Sequence, residues 1–268
     1  MPELPEVEAV RRRMELFARG RTIIAAHVLR PRIACDGSAR QIEQFAAGRT
    51  ITRVSRRAKN LLLHFDDAAL RIHLRMTGDL VPCPNVRFFP ITTRLILEFD
   101  NQDGVLFTDP RALGRIELLH AQGLEALNRS LGPEPLSAQF TLSLLEYAAG
   151  RSRLSAKLFL TNQAAIAGIG NIYAAEILFA AGIHPTRKMN TLSVTRLERL
   201  HAAIRETLQA AVRHAEVTYA APGQFHETAS FRLRVYGRVG ERCPRCDGRI
   251  RRIVQGARST YYCPGCQR

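Results

Sequence analysis

The chain begins Met1-Pro2-Glu3-Leu4-Pro5-Glu6, and these few residues carry the sharpest chemical signal in the sequence. Removal of the initiator methionine would leave Pro2 with an unblocked secondary amine and a carboxylate, Glu3, beside it. An α-amino group titrates near 7.7–8.0, about 2–3 units below lysine, so a useful neutral fraction exists at physiological pH. A secondary amine that condenses with an aldehyde-level carbon yields an iminium, cationic at any pH and an electron sink for breaking neighbouring bonds. Glu3 is placed to shuttle the protons such chemistry needs. The same residues also suit a plain helix start. Pro5 and the early acids Glu3, Glu6 and Glu8 are what a helix N-terminus prefers. Leu4, Val7, Val10, Met14 and Phe17 recur at helical spacing until Gly20.

Four of the six cysteines form a second chemical cluster, Cys243-Pro-Arg-Cys246 and Cys263-Pro-Gly-Cys266, with sixteen residues between the pairs. Two C-x2-C turns at this spacing can aim four sulfurs at one metal, a closed tetrahedral structural zinc site. Short strands over Arg249–Val254 and Ser259–Tyr262, with a turn at Gln255-Gly256-Ala257, are expected between them. Disulfides or a redox pair would use the same residues, but a cytosolic basic protein disfavours both. Cys35 and Cys83 stand alone and read as small apolar residues. Residues 231–268 hold ten arginines against only Glu241 and Asp247, which suits a metal-clamped hairpin on a phosphate backbone. Arg258, at the turn, either reaches DNA or is simply solvated.

The whole chain has a net charge of +15 and a pI near 10.5. That balance points to a polyanion, with nucleic acid ahead of an anionic membrane. The basic residues are almost all arginine; Lys59, Lys157 and Lys188 are the lysines. At 268 residues and 46% hydrophobic content there is room for two domains with cores of their own. Apolar stretches fall far short of the ~18 residues of a membrane helix, and the start does not read as a secretory signal. A cytoplasmic monomer is the default.

The elements that must hold these groups can be read from periodicity. Ala69–Met76 alternates, with Leu70, Ile72, Leu74 and Met76 on one face and Arg71, His73 and Arg75 on the other. Further strand-like runs at 22–29, 51–54, 61–65, 94–99, 104–108 and 115–119 make residues 21–120 an all-β sandwich or flattened barrel behind the first helix. Leu131-Gly132-Pro133-Glu134-Pro135 is the clearest linker. Helices are expected beyond it at about 137–149, 154–161, 172–181 and 191–215. Asn171, after the turn Gly168-Ile169-Gly170, suits an N-cap or a phosphate site at a helix end.

Taken together, these pieces resemble the formamidopyrimidine-DNA glycosylase and endonuclease VIII family of base-excision repair enzymes, over nearly the whole chain. The resemblance rests on Pro2-Glu3-Leu4-Pro5-Glu6, Arg57-Ala58-Lys59, His73-Leu74-Arg75-Met76-Thr77-Gly78 and Asp109-Pro110-Arg111. It continues through Leu131-Gly132-Pro133-Glu134-Pro135-Leu136, Gly168-Ile169-Gly170-Asn171-Ile172-Tyr173, Gly182-Ile183-His184-Pro185, Val235-Tyr236-Gly237-Arg238 and the four cysteines. It implies an α+β fold. A catalytic helix-plus-β-sandwich domain would span 1–132, a helix-two-turn-helix domain 133–230 and a four-cysteine zinc finger 231–268. It implies a bacterial, nucleoid-associated glycosylase and abasic-site lyase that works by β,δ-elimination on duplex DNA. One structural zinc and no other cofactor would be needed.

By the same resemblance Pro2 is the nucleophile, Glu3 the proton relay and Lys59 a phosphate contact at the reacting site, while Glu6 organises the site. Met76, Arg111 and Leu113 fill the hole left by an extruded base, which such enzymes must take out of the stack. Asn171 and Arg258 grip phosphates, and Lys157 lies near the active site. His73 either touches phosphate or is an ordinary surface histidine, and Lys188 matches nothing. Several departures bear on the substrate. Leu113 stands where purine-lesion enzymes commonly carry phenylalanine, and Arg75 stands where a glycine is usual. The Thr218–Phe231 stretch, at the place of the lesion-capping loop, lacks the Gly-Lys-Pro-Gly-like sequence of the purine branch. The opening Glu3-Leu4-Pro5-Glu6 favours that branch nonetheless, so oxidised purines (8-oxoguanine, formamidopyrimidines) are expected, with oxidised pyrimidines next. A non-catalytic binder of damaged DNA, or a zinc-ribbon sequence reader, would keep the basic surface but leave Pro2 dispensable.

Overall fold

The computed structural model describes residues 2–35, 38–219 and 231–268, so the Thr218–Phe231 stretch lies almost wholly outside the described residues. The chain divides into two compact units, residues 1–129 with 215–228, and residues 130–214 with 229–268.

The first unit opens with helix α1 (Leu4–Ala18). Its apolar stripe, Leu4, Val7, Val10 and Met14, is fully buried, and the helix packs on strands β2 (Arg53–Arg57), β3 (Asn60–His64) and β5 (Asp79–Cys83). Each such side chain taken out of water contributes about 1.5–3 kcal/mol. Two four-stranded antiparallel sheets make up the body. One has the order β2-β3-β4-β8, with β4 at Ala68–His73 and β8 at Arg115–His120. The other has the order β1-β6-β7-β5, with β1 at Ile23–Val28, β6 at Thr93–Phe99 and β7 at Gly104–Thr108. Side chains of both sheets, Leu61, Leu63, Ile72, Leu95, Phe99 and Phe107 among them, share one core with α1.

The region is not purely β, contrary to the sequence expectation. Within residues 21–120, helix α2 (Ala39–Ala46) buries Ile42 and Ala46 against β1; α3 (Ala121–Ser130) follows β8, beyond that stretch. β5 escapes sequence reading because Pro82 interrupts it. Proline is tolerated here because β5 is an edge strand, where a missing N–H costs no ladder bond. The strand expected at 69–76 ends at His73, and Met76 sits in the turn that follows. Arg75 in that turn has φ +56°, a left-handed backbone that glycine adopts at lower cost.

The second unit is helical: α4 (Leu142–Gly150), α5 (Ala156–Thr161), α6 (Asn171–Ala181) and α7 (Val194–Thr218), the last of which runs past the unit's boundary at residue 214. The hairpin β9 (Arg251–Gln255) and β10 (Arg258–Tyr262) completes it. Gly256 and Ala257 both have positive φ, +55° and +58°. Two consecutive left-handed residues make the mirror-image turn whose twist matches paired strands. Gly182 ends α6 at φ +69°, a left-handed cap. Among the described residues no helix is long and apolar enough to cross a membrane.

Among the described glycines of the first unit, the tightest backbone approach is at Gly104. A Cβ there would stand 2.2 Å from the Leu97 carbonyl oxygen and 2.8 Å from Val86 Cγ1. Gly104→Ala is therefore expected to destabilise the protein by about 1–3 kcal/mol, read as an earlier midpoint in thermal or urea unfolding. A wild-type midpoint would contradict this packing.

Candidate active site and zinc module

At the N-terminus of α1 the residues from Pro2 to Glu6 are tied down. Glu3 occupies the N-cap position, and Glu3 and Glu6 form a reciprocal capping box. The Glu3 backbone N–H donates to Glu6 Oε2 at 2.8 Å. Pro2 is buried, and Glu3 and Glu6 are only 1% and 4% exposed. Two carboxylates at a helix start also complement the positive end of its dipole.

One turn further on, Glu8 accepts from Arg56 Nε at 3.0 Å, and Arg56 Nη1 donates to the Ala58 carbonyl at 2.9 Å. This arginine bolts the β2–β3 turn to α1. Burial alone would raise the Glu8 carboxyl, but the Arg11 hydrogen bond and the Arg56, Arg11 and Arg12 interactions outweigh it and hold it below its ordinary range. The turn carries Lys59, 9% exposed, next to Ala58 at φ +53°. Sequence reading missed Arg56 and Glu8 as a pair because nothing in their spacing of 48 residues links them.

His73 faces the same turn. It pairs with Asn60 across β3–β4 and with Arg115 across β4–β8. Its Nδ1 accepts the Arg75 backbone N–H at 3.1 Å, which leaves Nε2 as the protonated nitrogen of a neutral ring. Burial, then the positive charges of Arg75, Arg71 and Lys59, push its pKa down to about 4. His73 can thus donate one hydrogen bond to an anion without adding charge.

Met76, Arg111 and Leu113, expected from the sequence to fill the void of an extruded base, come together at one end of the sheets. Arg111 is exposed, Leu113 is 41% exposed, and Met76 is half-buried. The loop of Met76 meets the loop of Arg111 through Thr77, whose Oγ1 accepts the Arg111 N–H at 3.4 Å.

In the second unit the four cysteine ligand atoms all lie within 4.8 Å of one another. Sγ–Sγ separations are 3.7 Å for Cys243–Cys266, 3.6 Å for Cys246–Cys263 and 3.5 Å for Cys246–Cys266. Zinc–sulfur bonds of about 2.3 Å in a tetrahedron place sulfurs about 3.8 Å apart, which these cysteines nearly meet. A disulfide would require about 2.05 Å. The four residues are positioned to bind one zinc ion.

Asn171 is the first residue of α6, not its N-cap as the sequence suggested; Gly170 is the cap. The Asn171 amide crosses to the hairpin, Nδ2 donating to the Ser259 carbonyl at 2.9 Å, while Oδ1 is buried with no hydrogen-bond partner among the described residues. Arg258 is exposed at the start of β10, beside the turn. Lys157 is 1% exposed, and its ammonium donates to the Gln255 carbonyl at 3.4 Å. It therefore supports the hairpin from beneath. Glu176, unremarked in the sequence, is a second buried pin. Its carboxylate accepts the N–H groups of Arg234, Val235 and Tyr236, each at 2.9 Å, and so holds the Val235–Arg238 motif. A lone acid within the apolar run of α6 is the signal that could have found it.

Three family descriptions match in order. The formamidopyrimidine-DNA glycosylase N-terminal domain covers residues 1–116, its H2TH domain 131–221, and a zinc finger found in FPG and IleRS 240–268. A formamidopyrimidine-DNA glycosylase of Chloroflexus aurantiacus is 42% identical over 100% of this chain and 98% of its own length. One from Herpetosiphon aurantiacus is 40% identical over the full length of both. The structure of Lactococcus lactis Fpg with abasic-site DNA superposes with a TM-score of 0.89 at 34% identity, covering 99% of each chain. The same enzyme with FAPY-dG DNA gives 0.88 at 32%, covering 99% of this chain and 100% of that one. The fold and the site thus define a zinc-finger DNA glycosylase, an enzyme of DNA repair. The chain belongs to the formamidopyrimidine-DNA glycosylase family.

Two outcomes follow from this geometry. Metal analysis should find one zinc per chain, lost in Cys246→Ser, since the ligand set is incomplete without it. The histidine makes a pH-dependent contribution. The unfolded chain binds the His73 proton from 6.5 downward, whereas the folded chain does so only near 4. Stability is therefore lost as pH falls from 6.5 toward 4 and is unaffected above 6.5. His73→Asn removes this dependence, so its stability deficit relative to wild type should narrow between pH 7.5 and 5 in urea unfolding. Parallel curves would contradict a neutral ring in the folded chain.

Proposed function

We propose that this enzyme removes oxidised purines from duplex DNA and then cleaves the strand through an imine on Pro2. The observation that most supports this reading is the capped, buried placement of Pro2 and Glu3 at the head of α1. An imino acid and a carboxylate are held in sequence there, and Lys59 is fixed on a turn that Arg56 ties to the same helix. Once Met1 is removed, the Pro2 nitrogen attacks deoxyribose C1′ as the glycosidic bond breaks, and the proton lost by that nitrogen leaves with the departing base. Glu3 protonates the sugar ring oxygen, the C1′–O4′ bond opens, and the cationic imine remains. That cation acidifies C2′–H, and loss of this proton expels the 3′ phosphate. Loss of the C4′ proton then expels the 5′ phosphate, and water releases Pro2. The electron sink is the imine itself, so no external cofactor enters.

Duplex DNA as the partner is supported by the +15 charge, the arginines of the zinc hairpin and the DNA held by the Lactococcus lactis enzymes. Arg258 and Asn171 are assigned to phosphates, with Lys59 and neutral His73 at the phosphates beside the lesion. Glu6 acts through the Glu3 backbone. Lys157 acts through the hairpin it supports. Met76, Arg111 and Leu113 occupy the void left by the extruded nucleotide. The purine class is supported by the name its relatives share and by the FAPY-dG complex.

Borohydride reduction of the enzyme on a duplex with one 8-oxoguanine should trap a covalent adduct, and more of it than on a duplex with dihydrouracil. Pro2→Gly should abolish it, and Glu3→Gln should slow single-turnover cleavage by about 10²–10⁴-fold, the usual worth of a positioned proton-transfer group. Undiminished trapping by Pro2→Gly would overturn the proposal, and preference for dihydrouracil would move the substrate to oxidised pyrimidines.

A further inference from the structure

The void-filling residues lie on two separate loops, Arg75–Thr77 between β4 and β5 and Pro110–Gly114 between β7 and β8. A wedge built from two loops works only if they move as one. Among the described residues, the hydrogen bonds between them run through one buried carboxylate and one hydroxyl. Thr77 Oγ1 donates to Asp109 Oδ1 and accepts the Arg111 N–H at 3.4 Å. Asp109 Oδ2 accepts the Gly114 N–H at 2.7 Å, beyond the far side of the Arg111–Leu113 segment.

Asp109 is fully buried. Its backbone is fixed as well: its N–H donates to the Thr92 carbonyl at 2.9 Å, and its own carbonyl accepts from Arg94 Nε at 2.9 Å and from the Ala112 N–H at 3.0 Å. The turn at 109–112 needs only that backbone. The side chain leaves its own loop to take the hydroxyl of the other. A second tie has the same effect. A Cβ on Gly78 would meet Phe107 Cε2 at 2.8 Å, and one on Gly114 would meet Phe107 Cζ at 2.4 Å, so both loops lie directly on one buried ring. Neither loop is relaxed alone: Arg75 has φ +56° and Ala112 φ +49°, conformations that persist where surrounding contacts over-determine them.

We infer that Thr77 and Asp109 are positioning residues that lock the Met76 loop and the Arg111–Leu113 loop into one rigid wedge. Thr77 sets the height of Arg111 by holding its backbone N–H, and Asp109 closes the other end through Gly114. The inference rests on the proposed void-filling role of Met76, Arg111 and Leu113, and it adds the pair that fixes their mutual geometry. Neither residue touches DNA in this account.

The test uses the full-length enzyme and a duplex with a tetrahydrofuran abasic analogue opposite 2-aminopurine. The chain has no tryptophan, so the probe's emission is read free of indole fluorescence. Protein is added to saturation, as judged by anisotropy of a separately labelled copy of the duplex. Wild type should shift the emission as the wedge engages the orphaned base. Thr77→Val, which keeps the shape and removes the hydroxyl, should lose most of that shift, and Thr77→Ser should restore it. Should Thr77→Val fail to fold, Thr77→Ala carries the test, because it too removes the hydroxyl that joins Asp109 to the Arg111 N–H. A wild-type shift in Thr77→Val, or an equal loss in Thr77→Ser, would overturn the inference. No shift in wild type would instead remove the void-filling role itself, whatever the variants do.

Discussion

Anchoring a chain end is the physical problem this structure has to solve, because its proposed reactive atom is the second residue of the polypeptide. Chain termini ordinarily fray, since they have neighbours on one side only and little buried surface to offset the entropy of ordering. Here the first helical turn is held by the capping box of Glu3 and Glu6 and by a stripe of four fully buried apolar side chains on α1. The Glu8–Arg56 ion pair then fixes the helix to the β2–β3 turn. Lose the order of that turn and no arrangement of loops further along could present residues 2 and 3 together.

The electrostatics follow from the same economy. The surface is strongly basic, yet groups nearest the proposed reaction are not simply more positive. Burial, aided by three cations in its neighbourhood, holds His73 neutral, so it adds a directional donor in a region already rich in charge. Arg56 is turned inward to Glu8 and the Ala58 carbonyl, giving position to its neighbours in place of attraction for an anion. In the second unit Lys157 and Glu176 make the same exchange beneath and beside the hairpin.

Much of this was legible in the sequence, for identifiable reasons. The apolar spacing of α1, the alternation of β4 and the paired cysteines each depend on a local period or a short fixed spacing; α1 and the cysteines are where they were expected, and β4 is too except that it stops at His73, three residues early. Among the elements missed are β5 and α2. β5 was hidden because Pro82 is penalised in any interior strand and harmless at an edge, and edges are a property of the sheet, not of the segment. α2 was hidden because its eight residues present only Ile42 and Ala46 as buried anchors. The ties Arg56–Glu8, Thr77–Asp109 and Glu176–Val235 span 48, 32 and 59 residues; no periodicity reports contacts of that kind. Asn171 was misplaced by one position because a glycine can take the cap.

The burial of Lys59 and Lys157 leaves Lys188 as the one exposed lysine. For amine-selective conjugation the protein is therefore close to a single-address molecule. A fluorophore or tether applied through acylation would collect at Lys188 and, in the processed chain, at the imino terminus, whose lower basicity makes it respond to pH differently. Occupying the substrate site first would shield the latter and leave a uniformly labelled enzyme, obtained without introducing a new cysteine beside the metal-binding thiols.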